Sequence, residues 1–170
     1  MLGSRCLLSE GLVSPVYLWL KLIHVAAVVA FLGNITTGLF WHFRAARTRD
    51  PRLLAHTVDG ITRSDRLFTI PGVVVILVSG FGAAGIGGYP ILGTPWILWS
   101  LILFSVSGLI FVLRVVPLQG QLKALAQAGA QGPFDWERYR RLAWSWELWG
   151  AAALLTPLAA LALMVLKPSL

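Results

Sequence analysis

Lys21, His24, Asn34 and His42 stand inside LWLKLIHVAAVVAFLGNITTGLFWHF, Leu18 to Phe43, a stretch otherwise almost wholly apolar. An imidazole can ligate copper or haem iron, an ammonium can pair with an anion, and an amide can hydrogen-bond where water is scarce. On a helix of 3.6 residues per turn, Lys21, His24, Phe31, Ile35, Gly38 and His42 share one stripe. His24 and His42 line up on it about 27 Å apart, at 1.5 Å of rise per residue. They cannot hold one metal ion together.

Partners must come from other segments, because a charge at the centre of a membrane costs about 2.5 to 3.5 kcal/mol on insertion scales. Where the first apolar segment begins and the last ends, Met164 and Lys167 are the candidates nearest Lys21 and His24. A histidine with a thioether can bind haem iron or copper(I). The bland alternative has Lys21 reaching the head groups while a neutral His24 bonds a neighbouring helix. At the other end, His42, Asp65, Arg66, Arg114 and Glu147 form the densest collection of opposite charges. Glu147 is expected to pair with Arg114 or Arg66, or to be protonated, in a lock that aligns helix ends. Asn34 is expected to bond across to Ser79, Ser105 or Ser107.

The elements that must position these groups follow from composition. Of the 170 residues 57% are hydrophobic and only 12% charged, against roughly a quarter charged in soluble domains. Four apolar runs, about 16–43, 67–88, 96–116 and 142–166, reach the roughly 20 residues a spanning helix needs. They do not alternate as outer-membrane strands would. The expected fold is all-α, a four-transmembrane-helix bundle with residues 1–170 as a single integral membrane domain.

The net charge of +7 flanks the spans and points to no nucleic acid. Arg44, Arg47, Arg49, Arg52, Arg63 and Arg66 fall in one connection; Arg114, Lys123, Arg138, Arg140 and Arg141 fall in another; Ala83 to Pro95 has no charge. Positive charge favours the cytoplasmic side, which places both termini outside a bacterial inner membrane. Trp19 and Trp96 suit the outer interface, and Trp41, Trp136 and Trp144 the inner one. The head MLGSRCLLSEGLVSP lacks the layout of a cleaved signal peptide, and Cys6, the only cysteine, has no disulfide partner.

Between the spans, Pro51 after Asp50 can open a short helix and Asp59-Gly60 marks a turn. QLKALAQA has helical character that stops near Gly129. Asp135 suits an N-cap, with Phe134 and Tyr139 as a hydrophobic staple and Glu137 paired to Arg141. GFGAAG, Gly80 to Gly85, matches a dinucleotide fingerprint only formally, since it lies in a span with no acid downstream. Gly80, Ala84 and Gly88 are better read as small residues that let another helix approach. Asn34-Ile35-Thr36 spells a glycosylation sequon inside a span, where it cannot be modified.

LKLIHVAAVVAFLG, TRSDRLFTIPGVVVILVSG and ERYRRLAWSWELWGAAALLTPLAALALMVLKP together resemble a family of bacterial predicted integral membrane proteins, the domain of unknown function 2269. That family is distantly similar to the copper-resistance D domain and to a haem-associated protoporphyrinogen oxidase, whose first helix opens with a basic residue and a histidine, as Lys21-Leu22-Ile23-His24 does. The resemblance implies a ligand or redox role for His24 and a shared cytoplasmic corner at Arg63, Asp65 and Arg66.

No spacing for nucleophilic catalysis, phosphate binding or a cysteine metal site is present. The leading expectation is therefore a subunit without catalytic residues, packed in the lipid bilayer against other subunits of an inner-membrane complex or against its own copies. A protein centred on His24 that binds haem b or copper is the second reading, and a small transporter with a wet path at Asn34 and Glu147 the third.

Overall fold

A computed structural model of the chain describes residues 14–168. Cys6 and the head around it lie outside the described residues. Among the described residues all regular structure is helical: α1 is Pro15–Thr48, α2 Pro51–Ser64, α3 Ile70–Ile86, α4 Pro95–Ile110, α5 Val116–Gly129 and α6 Trp136–Leu166. Two single-turn π segments, Asp65–Thr69 and Phe111–Val115, join α2 to α3 and α4 to α5 without a break. The chain thus makes four long rods, each long and apolar enough to cross a membrane.

The expected connections are therefore largely helix. Asp59-Gly60 makes no turn; both residues lie inside α2, which an Asp50 side chain caps by accepting from Arg52 N at 2.8 Å. α2 is amphipathic and has a matching partner in α5, so propagating the helix satisfies the backbone better than a turn would. Leu54 and Val58 of α2 meet Leu122 and Ala126 of α5 in the main buried core, which also takes in Ala45, Tyr139 and Trp146. Asp59 ties the pair together, with Lys123 Nζ at 2.6 Å and Arg63 Nε at 2.7 Å. This core lies at the arginine-rich end.

Both π segments have a local cause. Pro71 and Pro117 stand two residues past their ends, at the second positions of α3 and α5, and a proline has no N–H for the carbonyl four residues back while its ring pushes against that carbonyl. One extra residue in the turn relieves the contact. In α6, Pro157 likewise frees the carbonyl of Ala153, and Ser107 Oγ donates to that oxygen at 2.6 Å. A second serine, Ser100, reaches Ala160 O at 3.2 Å. These two bonds fasten α4 to α6 where only lipid would otherwise be available.

α6 begins as expected, with Asp135 accepting from Arg138 N at 3.0 Å and the Phe134 and Tyr139 rings 5.5 Å apart. Its first-turn ion pair differs: Glu137 bonds Arg140 at 2.9 Å, three residues on, rather than Arg141. Gly129, which ends α5, is pressed against Phe134 so closely that a Cβ there would overlap the ring. Gly129→Ala would normally favour a helix, yet here we expect a loss of about 1 to 3 kcal/mol from overpacking. Unfolding in mixed detergent micelles measures it.

Candidate functional site

α1 packs chiefly on α3, and α4 on α6, while α3 packs on neither α4 nor α6. At the end away from the arginines the two pairs leave a cleft of about 500 Å³ between them. Its walls are apolar, and Phe31 meets Phe104 at its deep end with ring centroids 5.6 Å apart. Lys21, His24, Tyr17, Met164 and Lys167 also line it. The sequence-derived grouping of Lys21, His24, Met164 and Lys167 is thus brought to one cavity. Lys167 stands over the rings of Trp96 and Tyr89, 5.3 and 5.8 Å from their centroids.

His24 is held in a defined way. Its Nδ1 lies 2.9 Å from Ile76 O, and since a carbonyl only accepts, Nδ1 carries the proton. Nε2 is then the nitrogen with a lone pair. The ring rests on Gly80, where a Cβ would come within 2.9 Å of Cε1 and 3.0 Å of Nδ1. Gly80 therefore serves close approach, as its size suggests, but what approaches is the imidazole. Ala84 is buried in the same helix. Gly88 does not pack a helix at all: it lies beyond the end of α3 with φ 68°, a conformation that suits glycine.

The charges expected as one cluster divide into two buried groups. In the first, His42 is 0% exposed, and its Nδ1 meets Glu147 Oε1 at 3.0 Å while Nε2 meets the Tyr139 hydroxyl at 3.1 Å. A neutral imidazole satisfies both, donating from Nδ1 and accepting at Nε2. Carboxylate, imidazole and hydroxyl stand in the order of a hydrolytic triad, but Tyr139 is also 0% exposed, so no substrate reaches it. The trio is a lock between α1 and α6.

Glu147 consequently pairs with neither Arg114 nor Arg66. Arg114 lies over the Trp149 ring at 5.2 Å and Arg66 is exposed. A guanidinium keeps its hydration there, whereas neutral His42 loses little on burial.

The second group surrounds Asp65, which is 7% exposed. Its Oδ1 accepts from Asn34 Nδ2 at 3.1 Å and from Thr69 Oγ1 at 2.9 Å, and its Oδ2 accepts from Gln119 Nε2 at 2.8 Å. Asn34 Nδ2 also lies 2.9 Å from Thr69 Oγ1, and Asn34 Oδ1 accepts from Ser64. Asn34 thus bonds the α2 to α3 junction and not Ser79, Ser105 or Ser107. Ser107 is committed to Ala153, and Ser79 lies 3.5 Å from His24 Nδ1. Nothing in the sequence alone marks Thr69, Gln119, Tyr139 and Trp146 as site residues. Among the described residues no set of three His, Cys, Asp or Glu side chains is placed to hold a metal ion.

Residues 18–168 match a family model described as predicted integral membrane protein, DUF2269. The chain belongs to this family. It is accordingly an integral membrane protein of the DUF2269 family, with four spanning helices that sit in a lipid bilayer. No curated protein and no solved structure matches it. The wider similarity to the copper-resistance D domain and to protoporphyrinogen oxidase is not among the matches.

Proposed function

We propose that this protein is an accessory subunit of an inner-membrane redox complex and would carry haem b in the cleft, held through His24. The observation that carries the reading is the Nδ1 bond from His24 to Ile76 O on a wall of the cavity. Metal-bound histidines usually give their other ring N–H to a carbonyl or carboxylate, which fixes the tautomer and raises the basicity of the ligating nitrogen.

The residues present fit haem. The cavity has the apolar walls and volume of a cofactor pocket, Lys21 and Lys167 offer cations for two carboxylates, and Met164 supplies a thioether in the same cavity. A bare copper ion would leave most of that space unused, which favours haem. Bound there, haem would supply one-electron transfer. The chain's own part is to orient the imidazole through Ile76, to pair the anionic edge and to exclude water with Phe31 and Phe104.

The arginine-rich end supports an orientation with that end in the cytoplasm and both termini outside, which sets the cleft toward the outer face. The glycines and aromatic residues on the bundle's exterior suit contact with a larger subunit or another copy.

The test is an absorption spectrum of protein purified from cells supplied with a haem precursor. A Soret band is expected, lost in His24→Ala and retained in His56→Ala. A colourless wild type would sink the reading. Copurification in mild detergent, with partners identified by mass, tests the assembly.

A further inference from the structure

A second, much smaller cavity of about 30 Å³ lies at the arginine-rich side of the spans. Asp65, Gln119 and Trp146 line it, together with Phe111 and Val115 of the second π segment. Trp146 is only 4% exposed and its Nε1–H has no hydrogen-bond partner in the protein. A buried donor left unpaired costs about 1 to 3 kcal/mol, so an acceptor is called for.

The space and its chemistry fit one water molecule. A water needs at least about 10 to 15 Å³ and two to four polar partners. Here it can accept from Trp146 Nε1–H and donate to Asp65 Oδ2 and to Gln119 Oε1, the amide oxygen opposite the Nε2 that already bonds Asp65. Both π segments flank this point, Asp65 itself opening the first, and such bulges frequently mark functional sites.

Asp65 is surrounded by neutral groups. α1 offers Asn34, with His42 further along and committed to Glu147. α2 carries Asp59 and Arg63, which pair with each other. Arg66 on its own segment is exposed, and Arg114 lies over Trp149. α5 offers Gln119, while Lys123 is turned to Asp59. α6 offers Trp146, and Glu147 bonds His42. No cation touches the carboxylate among the described residues. Such a group changes its charge by taking a proton.

We propose that Asp65 and one water held between it, Gln119 and Trp146 form a proton-accepting site buried within the bundle. The proton comes from solvent at the arginine-rich end, passes through the water and ends on Asp65 Oδ2. Gln119 then turns its amide so that Oε1 accepts the new O–H. The site stands apart from the cleft and does not depend on haem.

Infrared difference spectra of haem-free protein in bilayers, recorded over pH, test this. A protonated-carboxyl C=O band should grow as pH falls, vanish in Asp65→Asn and have a displaced midpoint in Trp146→Phe. In the wild type, H₂¹⁸O should shift a band of the internal water, and the indole N–H of Trp146 should read as hydrogen-bonded in ultraviolet resonance Raman difference spectra against Trp146→Phe. A wild type in which no protonated-carboxyl band grows as pH falls, or in which H₂¹⁸O shifts no internal-water band, would overturn the proposal whether or not the variants fold; with folded variants, a band that survives Asp65→Asn or an indole N–H that reads as free would do the same.

Discussion

His42→Ala is expected to lower stability by about 2 to 4 kcal/mol, from the loss of a hydrogen bond to a carboxylate together with the void that truncation leaves. Two partners lose their bond at once: Glu147 Oε1 at 3.0 Å and the Tyr139 hydroxyl at 3.1 Å. The imidazole also packs on Trp146, with ring centroids 4.7 Å apart, and truncation opens a void beside it. Glu147 is 29% exposed, so water reaches its carboxylate and the lower half of that range applies if solvent follows the void inward. His42→Leu with Glu147→Leu should recover part of the loss, because no uncompensated charge remains. A double-mutant cycle in mixed micelles isolates the pair. If the two single changes simply add, His42 and Glu147 do not act together and the lock is refuted.

Gly80→Val is the second change with a large expected effect, and it falls on the cleft. Even the first carbon of the new side chain would lie 2.9 Å from His24 Cε1, closer than such atoms pack. The ring cannot slide along α3 without giving up Ile76 O, so it must rotate away. Overpacking of this kind costs about 1 to 3 kcal/mol, small enough for a membrane bundle to remain folded. The Soret band proposed for haem held through His24 should be lost or shifted while helix content by circular dichroism is unchanged. An unaltered Soret band in Gly80→Val would separate His24 from the ligand even if the wild type binds haem.

The spans were legible because their signal is composition over length, and hydrocarbon tolerates little else. The α6 cap was legible because Asp135, Phe134 and Tyr139 act within one turn. The gathering of Lys21, His24, Met164 and Lys167 needed only antiparallel first and last spans. Lateral contacts between helices were harder to read. Asn34 could not be matched to Asp65 and Thr69 from spacing alone, since the π segment adds a residue and changes which side chains face α1.

Glu147 was expected to seek arginine because opposite full charges attract most strongly in isolation. Inside the bundle the cost of stripping a guanidinium of water outweighs that attraction, and His42 fits instead. Trp146 was hidden among eight tryptophans. A signal was nevertheless present: Tyr139, Ala143, Trp146, Gly150, Ala153, Pro157 and Ala160 recur at alternating steps of four and three and are all buried. That spacing separates Trp146 from Trp144, which is exposed.

The two π segments have a consequence for how the chain can change over time. Each carries one residue beyond the helical repeat, and one residue corresponds to about 100° of turn on a helix of 3.6 residues per turn. They therefore act as phase adjusters in the second and third rods. Losing a single residue at either would turn α2 or α5 about its own axis and carry Leu54 and Val58, or Leu122 and Ala126, out of the core those helices share. Single-residue insertions and deletions should thus be rejected at both places.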